Sequence, residues 1–264
     1  MRATAAVLAG AAGYEFRMQL RRRALWVVVL AAAMLIAVRF QIDPTRPRLG
    51  DGPLAVAATM SSVLAVFMPL AYGVLMSDRV PRERRLRTLE VLRSLPAGPG
   101  THLWGKFLGA GLATALPLLV SYLAIAAFWV AIHHAPWSLV AAEAVVFGVV
   151  TLPGLLFVAG WTLLSTELLP APVFSVLFVG YWFWGNFMSP LKMPTLSCTL
   201  IQPAGGWAAR GLLGVPGGWA GSCDGGFHAL TAAQGWLGIG VLLAGAVVAV
   251  VAAQVLAGLR AARQ

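Results

Sequence analysis

Few side chains in this sequence could do chemistry on their own. Four histidines, nine carboxylates and two cysteines are spread over 264 residues, with no clustered acid, base and nucleophile set. His133 and His134 are adjacent, and neighbours on a helix point apart rather than chelate one ion. A heme or metal role would need an opposing ligand such as His228. Interfacial histidines are the simpler reading, and no metal is expected. Glu143 is ionisable and sits in an apolar run, which makes it a candidate cavity or gate residue, unless it merely reaches the interface. Asn186 is a candidate for the same role, or for a bond to a neighbouring helix. Cys198 and Cys223 are either a disulfide on an oxidising side of a membrane or two small buried thiols. The chain has no G-x-x-x-x-G-K-[ST] phosphate loop, and Gly105-Lys106 lacks its strand and glycine spacing.

The densest chemistry is a basic loop, residues 77–105. Leu86, Leu89, Leu92 and Leu95 recur every third residue with Val91 beside them, while Arg82, Arg85, Arg87 and Arg93 crowd the other sides. That spacing predicts a short amphipathic helix stopped by Pro96, with Ala97-Gly98-Pro99-Gly100 turning the chain back. Its leucines could dock in a groove on a soluble partner while its arginines pair with acids. It could equally rest on anionic lipid.

The elements that hold these groups follow from composition. Hydrophobic residues make up 59% and charged residues 11%, with a mean hydropathy of +0.82. One soluble core cannot hide so much apolar surface, which excludes soluble, disordered and nucleic-acid-binding classes despite a net charge of +10. The fold class is an all-α polytopic membrane protein. A span needs about 20 apolar residues. Charge-free runs place spans at Ala24–Val38, Pro53–Ser77, Phe107 to about His133, about Ser138–Thr166, Leu168–Leu191 and about Gln234–Leu256. Six spans result.

With the N-terminus inside, fourteen of the nineteen basic residues lie on the cytoplasmic face, and both termini are cytoplasmic. Residues 1–23 read as an amphipathic helix on the inner surface, with Val7, Leu8, Phe16 and Leu20 inward, rather than as a cleaved signal. Residues 189–233 are broken by prolines and glycine pairs yet apolar, which fits a re-entrant outer hairpin. Trp129, Trp137, Trp182 and Trp184 read as interfacial belt residues. The glycines Gly105, Gly109 and Gly111, and Gly235, Gly238, Gly240 and Gly245, read as close-packing sites suited to a subunit interface. Seventeen arginines against two lysines, with abundant alanine and glycine, suit a high-GC bacterial source.

Arg82-Glu83-Arg84, Thr88-Leu89-Glu90-Val91-Leu92, Ser94-Leu95-Pro96 and Gly105-Lys106 together resemble the inner-loop signature of ABC-2-type transporter permeases. Arg87 stands where that family usually has glycine. The six-span layout, the N-terminal elbow and the broken hairpin match as well, so the likeness covers nearly the whole chain. It implies a single permease domain, 1–264, in a bacterial inner membrane. Such a permease pairs with a second copy or a sister chain and sits among lipids on two cytoplasmic ABC ATPases. ATP and magnesium would be held by those ATPases, with no cofactor in this chain. By the same likeness the loop helix is a coupling helix, contacting the ATPase through Glu83, Arg84, Thr88, Leu89, Glu90 and Leu92. The function implied is an exporter permease. An integral-membrane enzyme or heme-handling protein, or a membrane anchor recruiting a soluble partner, are the alternatives.

Overall fold

The computed structural model describes residues 2–23, 26–27, 29–31, 34, 52–77, 99–190, 192–215 and 230–262. Every regular element among them is helical. In chain order they are α1 (Arg2–Leu20), α2 (Pro53–Ser77), α3 (Pro99–His133), α4 (Ser138–Val146), α5 (Leu152–Leu168), α6 (Ala171–Phe187), α7 (Gly206–Leu213) and α8 (Ala232–Ala262). A π-helical turn, Phe147–Thr151, joins α4 to α5 without breaking the helix.

Among the described residues four helical stretches are long and apolar enough to cross a membrane: Pro53–Ser77, Gly100–His133, Ser138–Leu168 and Ala232–Arg260. They carry the expected second, third, fourth and sixth spans. The expected first span, 24–38, lies mostly outside the described residues. The fifth is α6, whose 17 residues are uncharged. At 1.5 Å per residue it covers about 25 Å, short of a hydrocarbon core about 30 Å thick.

Local chemistry explains the boundaries. α2 fills its charge-free run from Pro53 to Ser77. α3 begins eight residues before the expected Phe107, because Pro99 opens a helix whose first N–H groups have no partner anyway. Pro99 and Gly100 are therefore the first turn of α3, not part of the turn before it. His134 ends the α3 side in a left-handed conformation, with φ 51°. Trp26 donates its indole N–H to the carbonyl of Leu20 at 2.8 Å, satisfying one orphan acceptor at the end of α1.

α2 sits between α4, α5 and α6, while α8 lies along α5 and α7. Two apolar clusters fill the bundle. One joins Leu64, Tyr72, Leu118, Leu155, Leu163 and Val250. The other joins Ala57, Leu139, Val146, Val150, Ala204 and Ala208. Glycines let the helices approach closely. A Cβ on Gly160 would lie 2.6 Å from the Ala246 carbonyl oxygen, and one on Gly245 would lie 2.8 Å from Phe157.

Three sequence expectations change here. Trp182 is not a belt residue: it is fully buried in the first cluster, on the α6 face turned into the protein. Trp137 and Trp184 are exposed as expected. The buried face of α1 is not Val7, Leu8, Phe16 and Leu20, which are half-buried, but Glu15 and Gln19. The packing glycines serve the chain itself. Gly105 and Gly109 face α1, Gly235 and Gly238 face α7, and Gly240 has open space.

Candidate functional site

The ends of α2, α5 and α8 and the starts of α3 and α6 meet at one end of the bundle. The basic loop connects Ser77 to Pro99 at this end. Glu83, Arg84, Thr88, Leu89, Glu90 and Leu92 lie outside the described residues. The anchors of the loop are described. Ser77 is buried, donates to the Val74 carbonyl at 2.7 Å, and has its hydroxyl 3.0 Å from that of Ser175 on α6. Beside it Gln19 of α1 donates to the Met76 sulfur at 3.1 Å. On the far side Gly100 abuts the side-chain amide of Gln254 on α8, which a Cβ there would displace. Glu167, at the α5–α6 turn, accepts an ion-paired hydrogen bond from Arg260 at 3.2 Å.

α1 is bound into this end rather than floating beside it. A Cβ on Gly105 would lie 2.6 Å from that of Ala11, and one on Gly109 would meet the Ala12 carbonyl and the Glu15 Cβ. The small face of α3 therefore accepts α1 at near-backbone contact, and the polar Glu15 and Gln19 come along into the seam.

Glu143 is packed inside the protein. It is 2% exposed on α4 and accepts a hydrogen bond from Ser61 of α2. Close by, the Tyr122 hydroxyl of α3 and Thr151 of the π turn share a 2.7 Å bond, within electrostatic reach of the Glu143 carboxyl. Three helices and the π turn thus share a polar seam inside apolar surroundings, where unpaired groups are costly. Asn186 is fully buried, but it donates to the Trp182 carbonyl of its own helix at 2.9 Å, not to a neighbouring helix. His133 lies with its ring 4.0 Å from that of Trp129, and both it and His134 are exposed.

At the opposite end the chain between α6 and α8 folds back along α6. Trp184 donates to the Pro194 carbonyl at 3.0 Å, and Ser197 to the Gly185 carbonyl at 3.2 Å. Cys198 is buried, has φ 67°, and is not a free thiol. Its N–H bonds the Gln202 side chain, and its carbonyl accepts from Trp207 at 3.1 Å. Cys223 lies outside the described residues. The segment then reaches the waist of the helix Ser138–Leu168. The Pro203 carbonyl occupies the space a Cβ on Gly154 would need. Gly205, at φ 72°, sits against Val150 with its missing Cβ 2.7 Å from that carbonyl. Gly154 is sixteen residues from Ser138, about 24 Å along the axis. Irregular backbone thus lies at mid-helix depth, buried in protein as it must be. Sequence reasoning missed the Gly154–Pro203 contact and the π turn. The Gly205-Gly206 pair was the one available hint of the first.

A family model described as ABC-2 family transporter protein matches residues 14–201. The chain belongs to that family. No curated protein matches it. The match runs from α1 through the basic loop and the four following helices into the folded-back segment. This ABC-2 protein is accordingly a multi-pass membrane permease of an ABC transporter, a transport component that works with ATPase subunits.

Proposed function

We propose that this permease is the membrane half of an ATP-driven exporter. It forms the route for a hydrophobic or amphipathic cargo as a dimer, with itself or with a sister chain, above two cytoplasmic ATPases. The whole chain, 1–264, is one transmembrane domain in a bacterial cytoplasmic membrane, with six spans and both termini inside. Residues 1–23 are its elbow, 77–99 its coupling loop, shortened from 77–105 because α3 begins at Pro99, and 189–231 its re-entrant outer segment, shortened from 189–233 because α8 begins at Ala232.

The observation that carries the reading is the anchoring of the basic loop within a chain of this family. Ser77 and Met76 tie its leading end to α6 and α1, and Gly100 seats its trailing end on α8. A push on the loop would reach three helices at once. Glu83, Arg84, Thr88, Leu89, Glu90 and Leu92 are the ATPase-facing positions. Glu143 and Asn186 lie in protein-packed seams, so burial favours a gate role over cargo contact. Cys198 pairs with Cys223 to staple the outer segment.

The test is co-expression with the ATPase. The wild-type permease should co-purify with a soluble partner bearing a phosphate loop and should raise its ATP hydrolysis in proteoliposomes. Leu89→Ala with Glu90→Ala should lose both effects while the permease still folds. Unchanged partner binding and unchanged stimulation in that double variant would defeat the coupling assignment.

A further inference from the structure

We infer that α8 is a push-rod, carrying movement from the loop-bearing end of the bundle to the folded-back segment at the other. Its contacts to Gly100 and Glu167 are the input, and its contacts to α7 are the output. This rests on the coupling-loop reading above and extends it to residues outside the loop.

Continuity along the helix is the first support. The other long described spans each hold a kink-permitting feature: Pro69 in α2, Pro117 in α3, and the π turn with Pro153 in Ser138–Leu168. Proline removes a helix hydrogen bond and permits a kink, and a π turn does similar work. α8 has no proline and no π turn across its 31 residues, and three of its five glycines, Gly235, Gly238 and Gly245, are packed against neighbours, so it can carry an axial or tilting displacement along its length of about 46 Å.

Its two ends supply the other supports. At the loop-bearing end, Gln254 abuts Gly100 at the start of α3, and Arg260 pairs with Glu167 at 3.2 Å. Those residues lie six positions apart, about 9 Å along the axis. They reach the exit of the basic loop and the α5–α6 turn separately, so either element could drive the rod. At the opposite end α8 grips α7 by reciprocal close approach. A Cβ on Gly211 would lie 2.9 Å from the Gly235 Cα, and one on Gly235 would lie 2.9 Å from Leu212. Gly238 adds a 3.0 Å approach to Trp207. α7 continues directly from Pro203 and Gly205, the residues seated at Gly154 and Val150. Tilting α8 would therefore lever the folded-back segment at the waist of its neighbour.

Arg260 and Gln254 are positioning residues in this scheme. The test uses the reconstituted permease–ATPase complex and follows hydrogen exchange of residues 197–213 with and without ATP plus vanadate. Wild type should show an ATP-dependent change there. Arg260→Gln should leave complex assembly and ATP hydrolysis in place yet shrink that change about fivefold, the low end of allosteric coupling factors. Arg260→Lys should restore much of it, and the exchange Glu167→Arg with Arg260→Glu should restore it in part. Gly235→Ala perturbs only the output end and should give the same loss with the loop untouched. If both Arg260→Gln and Gly235→Ala keep the full change, α8 is not the rod. If the wild-type chain assembles with no ATPase, or the segment never responds to ATP, the coupling reading fails first. A loss in Gly235→Ala alone would limit α8 to a structural clip and overturn the input assignment.

Discussion

Replacing Gly154 by alanine tests whether the outer segment is seated at the waist of the helix Ser138–Leu168. Where a Cβ has room, glycine to alanine inside a helix gains about 0.5–1 kcal/mol. Gly240 has that room, with nothing within 4 Å of its Cβ position. At Gly154 the Cβ would fall on the Pro203 carbonyl oxygen. This neighbour is backbone, flanked by buried Gln202 and Ala204, so it cannot swing aside as a side-chain tip would. Overpacking of this kind costs about 1–3 kcal/mol. Subtracting the helix gain leaves a net loss of up to about 2.5 kcal/mol for Gly154→Ala. One substitution at two helix positions should thus differ in sign. The assay is denaturant-titrated unfolding in mixed micelles, with Gly160→Ala as a positive control, because its Cβ would meet the Ala246 carbonyl at 2.6 Å on another helix. If Gly154→Ala unfolds no earlier than Gly240→Ala while Gly160→Ala is destabilised, the seating of the outer segment is refuted.

Three further outcomes follow from the same packing. Ser61→Ala removes a donor to the buried Glu143 and should cost about 1–3 kcal/mol by the same titration. Glu143→Gln keeps an acceptor and should cost less; equal stability of Ser61→Ala and wild type would show that the bond is not made. Gly109→Ala should push α1 off α3 at a cost of about 1–3 kcal/mol, whereas Gly13→Ala, facing open space, should not destabilise the fold. Maleimide should label the folded chain at Cys198 and Cys223 only after reduction. Loss of that bond should cost about 3.5 kcal/mol for a loop of roughly 26 residues on the chain-entropy account, and labelling of both thiols before reduction would disprove the pairing.

What the sequence could and could not reveal has a physical pattern. The bounds of α2 were legible because Asp51 and Asp78 flank an uninterrupted apolar run. The start of α3 was not, because charge-free counting stopped at Lys106, while a helix continues past a lysine whose stem can run along apolar surface. Residue type did not decide the surroundings of Trp182: an indole suits an interface or a core, and only the packing of α6 on α2 settles which. The face of α1 was misread by taking lipid as its neighbour. Its actual neighbour is the glycine-lined side of α3, where contact distance matters more than polarity and Glu15 and Gln19 face inward. The π turn at Phe147–Thr151 leaves no residue signature, and the burial of Glu143 depends on the packing of α4 against Ser61 of α2, which the sequence of α4 alone does not carry.

The two ends of the bundle are built from different kinds of contact. At the loop-bearing end, apart from the close α1–α3 packing at Gly105 and Gly109, the partners sit on long, flexible stems: Gln19 on Met76, Gln254 on Gly100 and Arg260 on Glu167. Such contacts can stretch, swivel and re-form when a helix end shifts. At mid-helix and beyond, the contacts are glycines against carbonyls: Gly154 on Pro203, Gly160 on Ala246, Gly205 on Val150 and Gly211 on Thr231. Those cannot slide without a clash, because close-packed interiors move as blocks rather than deform. A tilt of α8 entering through the compliant end would therefore carry α7 and the folded-back segment with it rather than slide past them. Were the permease to open by such a movement, the bonds of Ser61 to Glu143 and of Tyr122 to Thr151, which join different helical segments, are ones that could break and re-form.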